Sequence, residues 1–185
     1  PIMPGGSSIP APTSLEYING YLSYLLTGQK TNTEDYTYGE RMVDAKVRLK
    51  ETVEGKEMVR EMPLEVNQVE EVIKMYKTQG HGTNQATIEI GMPSDIKLND
   101  PPCLRLIDTR IRYGKLHFFP YFRSWDLWGG FPSNLGGLEL VKQYMAEEIG
   151  VGNGEIIASS KGLHLYEYSW DFAKQRTGKV NLELK

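Results

Sequence analysis

Apolar residues recur along this chain at two periods, three to four residues in some stretches and every second residue in others. In SLEYINGYLSYLL (residues 14–26), Leu15, Ile18, Tyr21, Leu22 and Leu25 share a helical face, with Ser14 placed to cap and Gly20 in the middle. EVNQVEEVIKMYKTQG (65–80) repeats the pattern at Val69, Val72, Ile73 and Tyr76, between a capping Asn67 and a terminating Gly80. A third helix is predicted in PSNLGGLELVKQYMAEEIG (132–150), with Leu138, Val141 and Met145 in register and Gly150 as its stop. YTYGERMVDAKVRLKE (36–51) is read as helical after Gly39.

Alternating or β-branched runs predict strands in TNQATIEIGM (83–92), CLRLIDTRIR (103–112), KLHFFPYFRS (115–124) and EIIASSKGLHLYEY (155–168). Tyr113-Gly114 has the form of a two-residue hairpin turn. Counting back from Arg112 opposite Lys115 sets Cys103 opposite Ser124. Strict alternation then sends the Arg123 side chain to the other face. Bringing it to the thiol requires a bulge or the strand's end, and Pro120 marks the expected distortion or edge. Together the elements describe an α+β domain, a largely antiparallel β-sheet covered by helices. Residues 1–13, rich in Pro, Gly and Ser, form an irregular N-terminal arm. Residues 14–185 form a single domain whose last fifteen residues fade into a polar tail.

Composition narrows the function classes. The 185 residues are 39% hydrophobic and 24% charged, with a net charge of −3 and scattered Lys and Arg. That balance suits a soluble globular domain and argues against nucleic acid as a partner. No apolar run approaches the ~18 residues of a membrane span, so no membrane partner is expected. PIMPGGSSIPAPTS lacks the basic and apolar regions of a secretory signal. A single cysteine fits a reducing, cytoplasmic compartment. QGHGTNQ and GVGNGE lack the lysine and spacing of a phosphate loop and are read as turns. The histidines and the cysteine show no metal-ligand spacing, so no metal is expected.

Candidate chemistry starts at that cysteine. Cys103 follows Pro101-Pro102 directly. Its plain reading is a small buried hydrophobe. With Arg123 beside it, the guanidinium would favour the thiolate, the nucleophilic form, and Arg123 with Ser124 would seat an anion. Taken singly, the other polar residues also have plain readings: Asp126 at a helix entry, Asn134 in an early helical turn, His164 in a strand. Their joint spacing is the informative feature.

Pro102-Cys103, then Arg123, Ser124, Asp126, Gly130, Pro132 and Asn134, then His164 and Tyr166, resembles the thymidylate synthase family. That family's signature is a proline-cysteine nucleophile, R-S-x-D-x(3)-G-x-P-x-N, and a later H-x-Y. YGER, at Tyr38-Gly39, resembles its tyrosine-glycine motif, and DPPCLRLI is closest in style to the shorter archaeal branch. The likeness is most specific from Cys103 to Tyr166.

The resemblance implies reductive methylation of dUMP to dTMP. The donor would be 5,10-methylenetetrahydrofolate or a related methylene-pterin, and the intermediate a covalent bond between cysteine and pyrimidine C6. It assigns Cys103 as nucleophile and places Tyr38 in the network that removes the C5 proton. Asn134 would bind the N3 and O4 edge of uracil, whereas cytosine-acting relatives tend to carry aspartate there. Arg123 and Ser124 would hold the phosphate, and His164 and Tyr166 the ribose 3′-hydroxyl. Asp126 would contact the pterin, with Gly130 giving backbone access. The implied partners are dUMP or a related pyrimidine nucleotide and a second copy in a homodimer. A pyrimidine nucleotide hydroxymethylase and a catalytically degenerate nucleotide-binding homologue stand as alternatives.

The sequence also departs from the pattern. Asn84 and Gln85 stand where the family carries an arginine pair for the partner's phosphate. Ahead of Tyr38 there is no tryptophan and no counterpart of the family's catalytic glutamate. KETVEGKEMVREMPLEV (50–66) exceeds the expected spacing. These departures imply a compact variant or a piece of a longer protein.

Overall fold

Positive φ angles at Tyr113 (51°) and Gly114 (69°) close a left-handed two-residue turn, and the long hairpin it joins is the axis of the fold. The structure, a computed structural model, describes residues 9–31 and 33–178. Helix α1 (Leu15–Thr27) and the short α2 (Tyr38–Val43) lead into a hairpin of β1 (Lys46–Val53) and β2 (Lys56–Pro63). Then come α3 (Gln68–Gln79), β3 (Thr87–Glu89), a 3-10 turn (Pro93–Lys97) and the central hairpin of β4 (Leu104–Arg112) and β5 (Lys115–Phe122). Short β6 (Trp125–Asp126), the long α4 (Gly130–Ile149), β7 (Gly152–Ile156), β8 (Ser159–Ser160), β9 (Leu163–His164) and α5 (Trp170–Thr177) follow. The expected features of residues 1–8 and 179–185 lie outside the described residues.

The main sheet runs β3-β4-β5-β7, with β8 joining β5 beyond the end of β7. It is antiparallel from β3 to β5 and parallel where β7 and β8 join, a more mixed sheet than alternation alone predicts. Pro120 is neither at an edge nor in a bulge. The carbonyls of Phe118 and Phe122 accept from Ile157 and Lys161, and Pro120, midway between them, has no N–H to offer. The neighbouring strand breaks there into β7 and β8.

The register matches expectation from Arg112 opposite Lys115 to Leu106 opposite Tyr121, then shifts so that Leu104 faces Phe122. The extra residue is Arg105 on β4, so the bulge lies across the hairpin from Pro120. Cys103 consequently lies across from Arg123 rather than Ser124: the Arg123 N–H donates to the Cys103 carbonyl at 2.8 Å.

Other predicted elements are redrawn. Beyond Val43 the expected helix is a hairpin, because Lys46 onward alternates with a period of two and Glu54-Gly55 supplies two positive φ angles (51° and 78°) for its turn. The GVGNGE turn is largely strand β7, and the strand predicted over 155–168 is divided among β7, β8 and β9. The predicted polar tail contains α5.

The core lies between the sheet and α3 and α4. Val69, Val72, Ile73 and Tyr76 pack with Leu138, Val141 and Met145 over Ile107, Ile111, Leu116 and Phe118. Each such side chain contributes about 1.5–3 kcal/mol on leaving water. Helix α1 closes on α4 because of two glycines. A Cβ on Gly136 would sit 2.7 Å from Ile18, and one on Gly137 would sit 2.5 Å from the Tyr21 ring. Gly39 allows a still closer approach, since its Cβ would fall 2.1 Å from the Tyr24 carbonyl oxygen. These contacts set the tyrosines of α1 beside the start of α4.

Candidate active site

Cys103 enters β4 from a segment held at consecutive peptide units. Pro101 and Pro102 have no N–H, and both of their carbonyls are taken by arginines. Arg123 donates to Pro101 from Nε at 3.1 Å and Nη2 at 2.5 Å, and Arg105 Nη1 donates to Pro102 at 3.4 Å. The next N–H beyond the cysteine, that of Leu104, donates to the Tyr38 hydroxyl at 3.2 Å. The thiol is half-buried, and burial pushes it above its usual range. The Arg123 charge pulls it back down, and Asp100, paired with Arg123 Nη2 at 3.0 Å, pushes it up again.

Asn134, in the second turn of α4, is oriented from two sides. The Trp125 indole, which can only donate, gives its N–H to Asn134 Oδ1 at 3.0 Å, fixing which end of the amide is oxygen. Its Nδ2 donates to the Tyr21 hydroxyl at 3.1 Å. Trp125 is itself clamped, stacked on Phe122 at 3.9 Å and tilted against Phe131 at 4.7 Å. Each amide end keeps capacity for a further bond.

Beside this pair opens a cavity of about 570 Å³, lined by Tyr17, Tyr21, Tyr24, Tyr36, Tyr38 and Glu34 among others. Tyr17, Tyr21 and Tyr24 stack in sequence along α1, and Tyr36 stacks on Tyr38. Burial raises Tyr38 to about 12, and burial with its bond to Glu34 raises Tyr24 to about 12. Tyr21 and Tyr36 are raised further, again mainly by burial. These phenols hold their protons at neutral pH. The sequence signal was the spacing of Tyr17, Tyr21 and Tyr24, which places three rings on one helical face.

A second cluster lies just beyond β5. Ser124 Oγ and His164 Nδ1 are 2.9 Å apart, and parallel pairing of β6 with β9 places Asp126 beside His164 in register. Tyr166 meets the His164 ring edge-on at 5.0 Å and stacks on Tyr168 at 6.0 Å. The Asp126 carboxylate accepts the N–H groups of Trp128, Gly129 and Gly130 at 2.9–3.1 Å, so it caps the entry to α4. Gly130 takes part through that N–H.

The structure thus links Cys103, Arg123 and Tyr38 in one group and Ser124, His164 and Tyr166 in another, with Asn134 joined to the first through Tyr21 and the cavity. Asn84 and Gln85 are exposed. Asn84 Oδ1 accepts from Arg110 of β4, which also bonds the Thr83 carbonyl at 2.7 Å, so this loop borrows an arginine from the sheet. Among the described residues, no three His, Cys, Asp or Glu side chains converge as metal ligands do, and no helix is long and apolar enough to cross a membrane.

Comparison with known proteins gives a consistent result. Residues 27–183 match the family model described as thymidylate synthase. A protein of Methanosarcina barkeri, named "Putative thymidylate synthase", is 32% identical over 90% of this chain and 69% of its own length. One of the same name from Methanosarcina mazei is 32% identical over 94% of this chain and 73% of its own. A third, from Methanosarcina acetivorans, is 31% identical over 90% and 69%.

Proposed function

The chain belongs to the thymidylate synthase family, and from that premise we propose that it methylates C5 of dUMP through a covalent bond from Cys103 to pyrimidine C6. The observation that carries this reading is the apposition of Cys103 and Arg123 across the β4 bulge. An uncompensated buried thiol would stay protonated, whereas one facing a guanidinium gains thiolate character.

In this reading the Cys103 thiolate adds to C6, and the electron pair moves to C5, which attacks the donor's methylene carbon. The C5 proton then leaves as the bond between the methylene and the donor nitrogen breaks, and hydride addition to the resulting exocyclic methylene expels Cys103 as thiolate. The one-carbon donor, a methylene-tetrahydropterin, supplies the methylene group and a hydride, leaving as the dihydropterin. The flat faces of Tyr17, Tyr21 and Tyr24 suit such a ring, and the cavity is large enough to admit it. Asn134 would donate from Nδ2 to O4 and accept from N3–H at Oδ1. Tyr38 holds its proton and already accepts from Leu104, so its O–H is a donor that orients the water or base removing the C5 proton. Arg123 and Ser124 would bind the phosphate, which requires the exposed Asp100 carboxylate to yield Nη2. His164 and Tyr166 would meet the ribose.

A homodimer would use the sheet face bearing Leu106, Phe119 and Tyr121, opposite the face covered by α3 and α4. His117 shares that face, and its buried Nε2 has no hydrogen-bond partner among the described residues.

The test is tritium release from dUMP labelled at C5, with methylene-tetrahydropterin present and product mass recorded. Release with a methylated product is expected, with Cys103→Ala inactive but still able to bind dUMP. A hydroxymethyl product would select the hydroxymethylase. No release, together with no covalent adduct from 5-fluoro-dUMP, would leave only a nucleotide-binding role.

A further inference from the structure

Arg105 is the one residue of β4 that faces no residue of β5, and its carbonyl accepts two consecutive N–H groups, Ile90 at 2.9 Å and Gly91 at 2.7 Å. Its side chain turns back over the loop that delivers the cysteine. Nη1 donates to Asp95 Oδ2 at 3.0 Å and to the Pro102 carbonyl at 3.4 Å, and Nη2 donates to the Met92 carbonyl at 3.5 Å. Asp95 is 1% exposed and fully engaged. Oδ1 accepts from Arg41 at 2.9 Å, and Oδ2 also accepts the Met92 N–H at 2.7 Å. The loop therefore closes on a buried carboxylate between two guanidinium groups, and one of those groups belongs to the bulge.

We propose that Arg105, anchored on Asp95, is a positioning residue that holds the β4 bulge and the Pro102 carbonyl so that Cys103 faces Arg123. Without that anchor the hairpin's unbulged register would set the cysteine opposite Ser124 and send Arg123 to the other face. This inference rests on Cys103 as the reactive thiol, but it is independent of which nucleotide is the substrate. Arg123 and Asp100 are the charged side chains that act most on the thiol. Arg105→Met also removes a charge near the cysteine, so the geometric effect is read from Gly91→Ala, which keeps that charge.

The experiment measures alkylation of Cys103 by iodoacetamide against pH in the full chain, without nucleotide. Two variants disturb the anchor differently. Arg105→Met removes the guanidinium. Gly91→Ala keeps it but displaces it, because a Cβ there would lie 2.4–2.6 Å from the Arg105 guanidinium atoms. The atoms nearest the new Gly91 Cβ are side-chain atoms of Arg105 rather than backbone, so this variant is read alone should Arg105→Met fail to fold. Both variants should shift the alkylation profile to higher pH and slow the reaction at neutral pH by about threefold or more. Arg105→Lys, which can reach Asp95 or the Pro102 carbonyl but not all three acceptors, should recover part of the rate. A folded Gly91→Ala protein with the parent profile would overturn the proposal. If the profiles shift while the parent releases no tritium from dUMP, the positioning role stands and the proposed reaction falls.

Discussion

The indole N–H of Trp125 donates to Asn134 Oδ1 at 3.0 Å, from a ring held 3.9 Å above Phe122. In the proposed reading, that bond decides which end of the amide a pyrimidine would meet. Trp125→Phe keeps a stacking ring but lets the amide rotate. Losing one such bond costs about 0.5–1.5 kcal/mol, so dUMP affinity should fall between about twofold and tenfold. Alkylation of Cys103, which does not involve the amide, should stay at the parent rate. Equal dUMP binding by the two proteins in calorimetry would remove Asn134 orientation from the account.

Asp100 is an internal competitor for Arg123. It is 87% exposed at its side chain, and an exposed pair of this kind contributes little to stability. It nevertheless opposes the thiolate and occupies Nη2. Asp100→Asn should therefore move the Cys103 alkylation profile to lower pH and tighten binding of inorganic phosphate, with thermal stability nearly unchanged. A profile moving to higher pH would reverse the assigned role of Asp100.

Much of this arrangement was legible in local patterns. The turn at Tyr113-Gly114, the α3 face from Val69 to Tyr76 and the α4 face from Leu138 to Met145 depend on neighbours within a few residues. The spacing from Cys103 to Tyr166 carried the family. Counting across the hairpin failed at one residue, Arg105, because the bulge is stabilised by Asp95 and Met92, outside both strands. The tyrosine cavity was hidden for a similar reason. Tyr21 reads as a core residue on a helical wheel, and only the glycine contact between α1 and α4 directs its hydroxyl to Asn134. The β1–β2 hairpin was missed where alternation at Lys46–Val53 competed with a helical reading of the same residues.

Gly39 follows Tyr38 because α2 abuts the end of α1. In Gly39→Ala the new methyl would fall 2.1 Å from the backbone oxygen of Tyr24, which cannot swing aside as a side chain can. Overpacking of this kind costs about 1–3 kcal/mol or more. The urea midpoint should fall accordingly, and the pair of Tyr38 with the Leu104 N–H should loosen. An unchanged midpoint would mean that the α1–α2 contact is softer than the packing implies.

The tyrosine cavity also predicts sensitivity to alkali. Burial raises Tyr21, Tyr24, Tyr36 and Tyr38 above the ordinary tyrosine value of 10.0, with Tyr24 and Tyr38 at about 12. The folded chain thus keeps protons that the unfolded chain gives up. Their stabilisation is complete below about pH 10 and drains as pH rises through about 12, each group contributing a slope of up to about 1.4 kcal/mol per pH unit. Cys103, raised from 9.0, adds a loss in the same direction that begins lower, and Cys103→Ala separates it. Urea midpoints should therefore decline steeply above about pH 10. The tyrosinate absorbance of the cavity phenols, read as the difference between the parent and single Tyr→Phe variants at Tyr21, Tyr24, Tyr36 and Tyr38, should appear only with unfolding. Exposed tyrosines such as Tyr113 ionise in the folded protein and cancel in that difference. Tyr21→Phe should flatten that decline, at the expense at neutral pH of its bond with Asn134. A tyrosinate signal near pH 10 in the still-folded protein that Tyr21→Phe, Tyr24→Phe, Tyr36→Phe or Tyr38→Phe removes would mean the cavity is open to hydroxide and its phenols unperturbed.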